Sequence, residues 1–542
     1  MRNSSLKSLA ALALISASAT PALAEPGLDL VGSWDSGVGA GTEVISVQKS
    51  SARAAVTNSE TGSVTILDLS DPATPVSAGV FDLGLVSGEG VTSVAFHPKD
   101  DYFIVAIEIE GVFADGRVEI RSASTGAVLN TLTVGSEPDA VVIDREGEYA
   151  VVSNEGESFA LDPETGEFFS PPGSVTVIDL DDGPEDATTM HIVLPDATGT
   201  PGMVNASDPG RTSDERLLER AVDLNGDGEI ADEFEDGVGG YDWNNNGVIE
   251  DLDFVAGTID GVDVMGNEES GELVLIPLLD NSPRFLEPEL AAFTKDGEHA
   301  LVVLQENNGV AVIDVEDGEF LGYYGLGTTT HDADIIEDDF VEFVEDALYA
   351  LREPDGISVT PDGRYFVTAD EGDTDLKASK TDMPHFPTAG GRTVSVFDAA
   401  TGMLLGDTGN QIDYLANEAG VYPDGRSDSK GSEPENLVTF WYDDVQYAAV
   451  GLERADAVAL VSLADPANPT VVDVAPVNGG VDLGDFAPEG IGYLKSHRSL
   501  YVYAANEGSG VVSVFEMTRS WHHHGRGWHR PKGRGHRHAF GR

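Results

Sequence analysis

"EPDGISVTPDGRYFVTADEGD", residues 353–373, is the stretch that decides the fold. It opens on Glu-Pro-Asp, alternates apolar and polar residues through Ile357–Val359, turns at Pro361-Asp362-Gly363, and alternates again through Tyr365–Ala369 to an acidic end. Period-two alternation is the mark of a half-buried strand, and Asp-Gly between two such runs marks a tight turn. A third run, "RTVSVFDAATG", follows after an insertion.

The same order recurs along the chain. Second runs end at "VTNSETG" (56–62), "AIEIEG" (106–111), "VSNEGE" (152–157), "LQENNG" (304–309), "TADEGD" (368–373), "GLERAD" (451–456) and "AANEGSG" (504–510). Third runs include "GSVTILDLS", "GSVTVIDLD", "GVAVIDVED", "AVALVSLAD" and "GVVSVFEM", and weaker fourth runs include "PVSAGVFDLG", "AVLNTLTVG", "EFLGYYGLG" and "PTVVDVAPV". Four strands per repeat predict an all-β, seven-bladed β-propeller over residues 27–518. The last unit lacks a fourth strand, and the orphan "LDLVGSWDSG" at 28–37 is expected to supply it, closing the ring and removing an open edge.

Strand direction reverses at each turn. The loop before strand one and the loop between strands two and three therefore share one face, where the insertions at about 196–286, 327–352, 374–391 and 408–432 also fall.

Ahead of this body, Arg2, Lys7, an apolar run around Leu9–Ile15 and Ala22-Leu23-Ala24 read as a signal peptide, residues 1–24, cleaved near Ala24. No later run is apolar and long enough for a transmembrane segment, so the chain reads as secreted, periplasmic or extracellular. It has no cysteine, so disulfides contribute nothing. With 96 acidic against 30 basic residues the formal charge is −66, which repels nucleic acid and concentrates cations. Solubility in a salty habitat is an equally good reading of that charge.

The acids have an order. Turns before first strands carry Glu137 and Asp139, Glu287 and Glu289, Glu353 and Asp355, Glu433 and Glu435, and Glu489. Second strands end near Asn154, Glu155, Glu306, Asp370, Glu371, Glu453, Asn506 and Glu507. Proline biases the residue before it toward an extended backbone, so each Glu of Glu-Pro is expected to be extended. Carboxylates forced together protonate or bind cations, and hard oxygen ligands without Cys or clustered His suit calcium or magnesium. The other reading is that they accept backbone hydrogen bonds and tie blades together.

Within 196–286, "DWNNNGVIEDLD" fits an EF-hand or dockerin-like calcium loop, with Asp242, Asn244, Asn246 and Asp253 as ligands around Gly247. "DLNGDGEIADEF" offers Asp223, Asn225 and Asp227, with Glu233 or Glu235 replacing a ligand at the Phe234 position. "SDERLLERAV" (213–222) reads as the entering helix, capped by Ser213. The end of the chain, 519–542, reverses the composition: "RSWHHHGRGWHRPKGRGHRHAFGR" has no acid and cannot build a core. It reads as a solvated tail, or as a binder of an anionic surface polymer, a transition metal or the protein's own acidic face.

"EPELAAFTKDGEHALVVLQENNGVAVIDV" (287–315), "EPDGISV" with "VTADEGD", "GRSDSKGSEPENL" (425–437), "VGLERADAVALVSLADP" (450–466) and "FAPEGI" with "AANEGSG" resemble the bacterial choice-of-anchor I proteins, over nearly all of 27–518. That family is similar in turn to a mesenchyme-specific cell-surface glycoprotein of biomineralising animals; generic YVTN-type repeats share only the blade pattern. The resemblance implies an exported propeller, often tethered at its C-terminus, with alkaline-phosphatase-like relatives. This chain departs from it in carrying a basic tail instead of an apolar anchor. Two functions are therefore open: a secreted calcium-binding module, or a metal-dependent phosphomonoesterase using the acidic rim with "THDAD" (His331, Asp332, Asp334) as added ligands. The second lacks a nucleophile motif, and its only candidate phosphate clamps, Arg454 and Arg392, read equally well as salt-bridge partners. A lactonase-like hydrolase is a weaker third option.

Overall fold

The structure is a computed structural model. It describes residues 26–109, 114–156, 171–195, 197, 200–203, 286–337, 340–372, 390–479 and 486–519, with the backbone alone of short strands inside 160–169 and 221–275. The expected signal peptide, residues 1–24, and residues 520–542 of the tail lie outside the described residues.

The opening stretch folds as read. Gly356–Val359 and Tyr365–Asp370 pair antiparallel, and Thr393–Asp398 and Leu404–Asp407 complete a four-stranded blade. Its first turn is tied by the Gly363 N–H donating to Thr360 O at 2.7 Å, with Gly363 at φ 77°, a conformation a side chain would strain. Blades of the same order begin at Ile45, Glu89, Pro138, Pro288, Pro434 and Pro488, giving seven four-stranded sheets. The seventh is completed from the other end of the chain: Pro26–Asp35 pairs with Val511–Arg519 in the register Pro26↔Arg519 to Asp35↔Val511. The expected closing strand is present.

Second and third strands are apolar on both faces because each lies between neighbouring blades, whereas fourth strands such as Val76–Asp82 face solvent. Each interface has its own apolar cluster. Val394 and Ile412 meet Val450 and Ala459 between blades five and six, and Phe366 stacks on Phe397 at 4.8 Å beside Val303 and Val310 between blades four and five. Ile45 and Leu67 meet Tyr503 and Val512 where blade one seals against blade seven. First strands touch one another in a closed circle.

Two insertions decorate one face. Thr328–Ala333 and Val344–Leu351 form a hairpin, and Gln411–Ala419 forms helix α1, ended by Gly420 at φ 79°. Ile412 and Ala416 sink into the interface between blades five and six, which fixes the helix in place. In the 196–286 insertion the calcium-loop residues Asn225, Asp227, Glu233, Asp242, Asn244, Asn246 and Asp253 lie outside the described residues. Of the expected helix 213–222, Ala221 and Val222 instead run as strand in Ala221–Asp223, and the rest also lies outside them.

Candidate functional site

The acids after each proline reach the channel for a reason in the backbone. Pairing of first and second strands slips at Pro138/Val141, Pro288/Ala291, Pro434/Leu437 and Pro488/Gly490, so Asp139, Glu289, Glu435 and Glu489 sit in β-bulges. A bulge re-aims a side chain out of the ladder, here toward the mouth of the ring. Before four of the rim prolines the residue is not extended as expected. Glu137, Glu353, Glu433 and Ala487 have φ of 49°, 44°, 54° and 48°, in the left-handed region. The turned carbonyl is the cause: Glu137 O accepts from Glu155 N, Glu433 O from Glu453 N and Ala487 O from Glu507 N, each at 2.9 Å. That hydrogen bond outweighs the steric bias before proline and locks the two acidic turns of a blade to each other. In blade one Gly41 takes the same place, at φ 77° with its carbonyl bonded to Ser59 N, so Glu43 is the equivalent acid. Glu43 escaped the sequence reading because Thr42, not proline, precedes it.

These acids face one another around the whole mouth. Glu289 lies in the fields of Glu155, Asp139, Glu306 and Asp355; Glu435 in those of Glu371, Asp355, Glu453 and Glu489; Glu43 in those of Glu507, Asp139 and Glu108. Three pairs hydrogen-bond carboxyl to carboxyl, Asp139 with Glu289, Asp355 with Glu435 and Glu489 with Glu507. Such a bond needs one proton between the two groups. Removal from water is the largest cause of every upward shift, followed at most of these groups by their like-charged neighbours. Asp139 rises to about 6, Glu43 to about 7, Asp355 and Glu453 to about 8 and Glu489 to about 10, while Glu289 and Glu435 rise well above the ordinary value. Asp139, Asp355 and Glu435 keep some solvent-accessible surface, so enclosure in the mouth rather than tight contact dries them.

At blades five and six three carboxylates of the ring converge. Glu371, Glu435 and Glu453 each offer one carboxylate oxygen, all within 4.8 Å of one another. Glu435 Oε2 accepts no hydrogen bond. The surrounding cations come from "GRSDSKGSEPENL": Lys430 Nζ binds Glu371 and lies 3.4 Å from Glu433 Oε2, and Arg426 Nε lies 2.5 Å from Glu433 Oε1. Arg454 lies 2.9 Å from Glu453 Oε1 and 3.7 Å from Glu433 Oε2. Glu433 is thus a buried ion-pair hub. Glu353 and Glu287 are buried beside the ring, and their backbone N–H groups donate to Asn308 and Asn307 side chains.

The other named residues are drawn into structure. Arg392 is buried, donates to the carbonyls of Asp334, Ser427 and Ser429 and pairs with Asp413 at 3.5 Å, which pins the hairpin to the segment after α1. His331 bonds Gly391 O at 2.9 Å, Asp332 accepts from Asp346 N, and Asp334 accepts from Ile336 N and Glu342 N. These contacts make "THDAD" a brace of the hairpin. Asp370, fully buried at the end of its strand, accepts from Thr368, Thr393 and Ser395.

The chain matches the choice-of-anchor I domain over residues 43–200, 258–383 and 373–466, more than half of its length. It belongs to the choice-of-anchor I family. Membership suggests a cell-surface or secreted binding module, and no helix among the described residues is long and apolar enough to cross a membrane. No curated protein matches the chain. Among solved structures it is similar to the propeller domain of Cps50 (Swd1) from Myceliophteria thermophila, with 10% identity, 90% of this chain and 99% of that one covered, and a TM-score of 0.46. It is also similar to hydrazine synthase of Kuenenia stuttgartiensis (12% identity, 88% and 95% covered, TM-score 0.43). A third is Sqt1 of Saccharomyces cerevisiae (11% identity, 90% and 99% covered, TM-score 0.42). At these values the likenesses carry no argument about function.

Proposed function

We propose that this choice-of-anchor I protein is an exported, divalent-cation-binding propeller that works as an extracellular or cell-surface binding module, with calcium or magnesium held on its acidic rim. The observation that carries the proposal is the convergence of Glu371, Glu435 and Glu453 within 4.8 Å, in a ring whose acids must otherwise share protons. Hard carboxylate oxygens suit these ions, and the remaining positions would be filled by water or by an oxygen-bearing partner. Lys430, Arg426 and Arg454 already answer Glu371, Glu433 and Glu453, so among the described residues the rim offers a phosphate no dedicated clamp. That favours a binding module over a phosphomonoesterase. The loops at 223–235 and 242–253 would add calcium sites of their own.

The test is ion stoichiometry of the full chain by titration calorimetry with calcium, for wild type and for a variant carrying Glu371→Gln, Glu435→Gln and Glu453→Gln. The expected outcome is about one ion fewer in the variant with unchanged melting cooperativity. Equal stoichiometry would return the three acids to a purely bracing role.

A further inference from the structure

The hairpin of residues 328–351 is acidic and apolar at once. Ile336, Phe340, Val344 and Tyr349 are exposed, Phe340 by 70%, and Tyr414 of α1 is exposed beside them. Phe343 joins the two elements, its ring 5.9 Å from that of Tyr414 and 6.0 Å from that of Tyr422. Glu337, Glu342, Glu345 and Asp346 are interleaved and exposed, none is ion-paired to a described residue, and the hairpin segment contains no Lys or Arg. Exposed large apolar side chains rimmed by one sign of charge mark an interaction surface. Its partner must be cationic and aromatic.

This chain contains such a partner. Residues 520–542 carry Arg526, Arg530, Lys532, Arg534, Arg537 and Arg542 with Trp521, Trp528 and Phe540, and no acid. The segment departs from the face opposite the hairpin. Arg519 pairs with Asp443 at 2.6 Å, and Asp443 lies in the turn at the far end of the strand that begins at Pro434 on the rim. Reaching its own hairpin would use much of the segment to cross a propeller about 20–30 Å thick and then its radius. A neighbouring molecule's hairpin is open to the whole segment.

We propose that the basic tail of one copy docks on the acidic, aromatic hairpin of a second copy, a head-to-tail association driven by charge complementarity and aromatic burial. The contact is heterologous, so it can propagate into chains rather than close as a dimer. It needs no metal at the rim and stands apart from that reading.

Sedimentation velocity of the full chain over a concentration series tests it, with a cap variant (Phe340→Ser, Val344→Ser, Tyr414→Ser) and a tail variant (Arg526→Gln, Arg530→Gln, Arg534→Gln, Arg537→Gln). All substituted hairpin and helix side chains are exposed, and equal melting temperatures confirm an intact fold. The expected result is concentration-dependent association of the wild type, about tenfold weaker in each variant as several exposed ion pairs and apolar contacts are lost. It should also weaken between about 0.1 M and 1 M salt, as screening shortens from about 10 Å to about 3 Å. A wild type that stays monomeric overturns the proposal. So does association that ignores the cap substitutions, or one that the Glu371, Glu435 and Glu453 substitutions abolish instead.

Discussion

Arg392 holds the rim insertion by one guanidinium, reaching Asp334 O, Ser427 O and Ser429 O while facing the Asp413 carboxylate. Both members of this ion pair are buried, so removing one leaves the other without a counter-charge. Arg392→Met is therefore expected to destabilise the protein by about 3–5 kcal/mol. Chemical denaturation of the variant beside Asp413→Asn checks it. A loss under about 1 kcal/mol would mean that the surrounding carbonyls and water replace the guanidinium. The sequence left Arg392 open between a phosphate clamp and a salt-bridge partner, because burial depends on the distant segments that pack over it. Lys430 and Arg426 went unassigned although Glu433 is a near neighbour in the chain; Glu371, the other partner of Lys430, is brought to it only by the ring.

At the scale of elements, the blades were legible since alternation and turn residues repeat locally, and the missing fourth strand announced the closing one. Strand Pro26–Asp35 fits tightly against blade one: a Cβ on Gly32 would meet Ala73 O at 1.9 Å. Gly32→Val should push the closing strand away and expose the edge of Val511–Arg519. The expected result is a lower melting temperature with faster hydrogen exchange in both strands. Exchange unchanged from wild type would show that the ring holds without this seal. What the sequence misread was the backbone before proline. The local steric bias is real, but the hydrogen bond from the next acidic turn is long-range, and it wins at Glu137, Glu353 and Glu433. The same long-range geometry placed Glu43 and Glu108 in the ring without a Glu-Pro mark.

For the molecule as a whole, a ring of carboxylates inside a body of charge −66 must take up positive charge. Without metal it takes up protons. The sign follows from the raised values. Unfolded acids titrate near about 4, whereas Glu43 titrates at about 7 in the fold, Asp355 and Glu453 at about 8 and Glu489 at about 10. The folded state thus binds more protons, and the stability they contribute is full below about pH 4 and lost as pH rises through the range from about 6 to about 10. A divalent cation on the ring replaces those protons and should stabilise more at alkaline than at mildly acidic pH. The melting temperature of the full chain at pH 6 and pH 9, in chelator and in saturating calcium, measures this directly. The account predicts a fall from pH 6 to pH 9 in chelator, a larger calcium-induced rise at pH 9, and loss of that difference when Glu371, Glu435 and Glu453 become Gln. A calcium effect equal at both pH values, or one that the three substitutions leave intact, would contradict it.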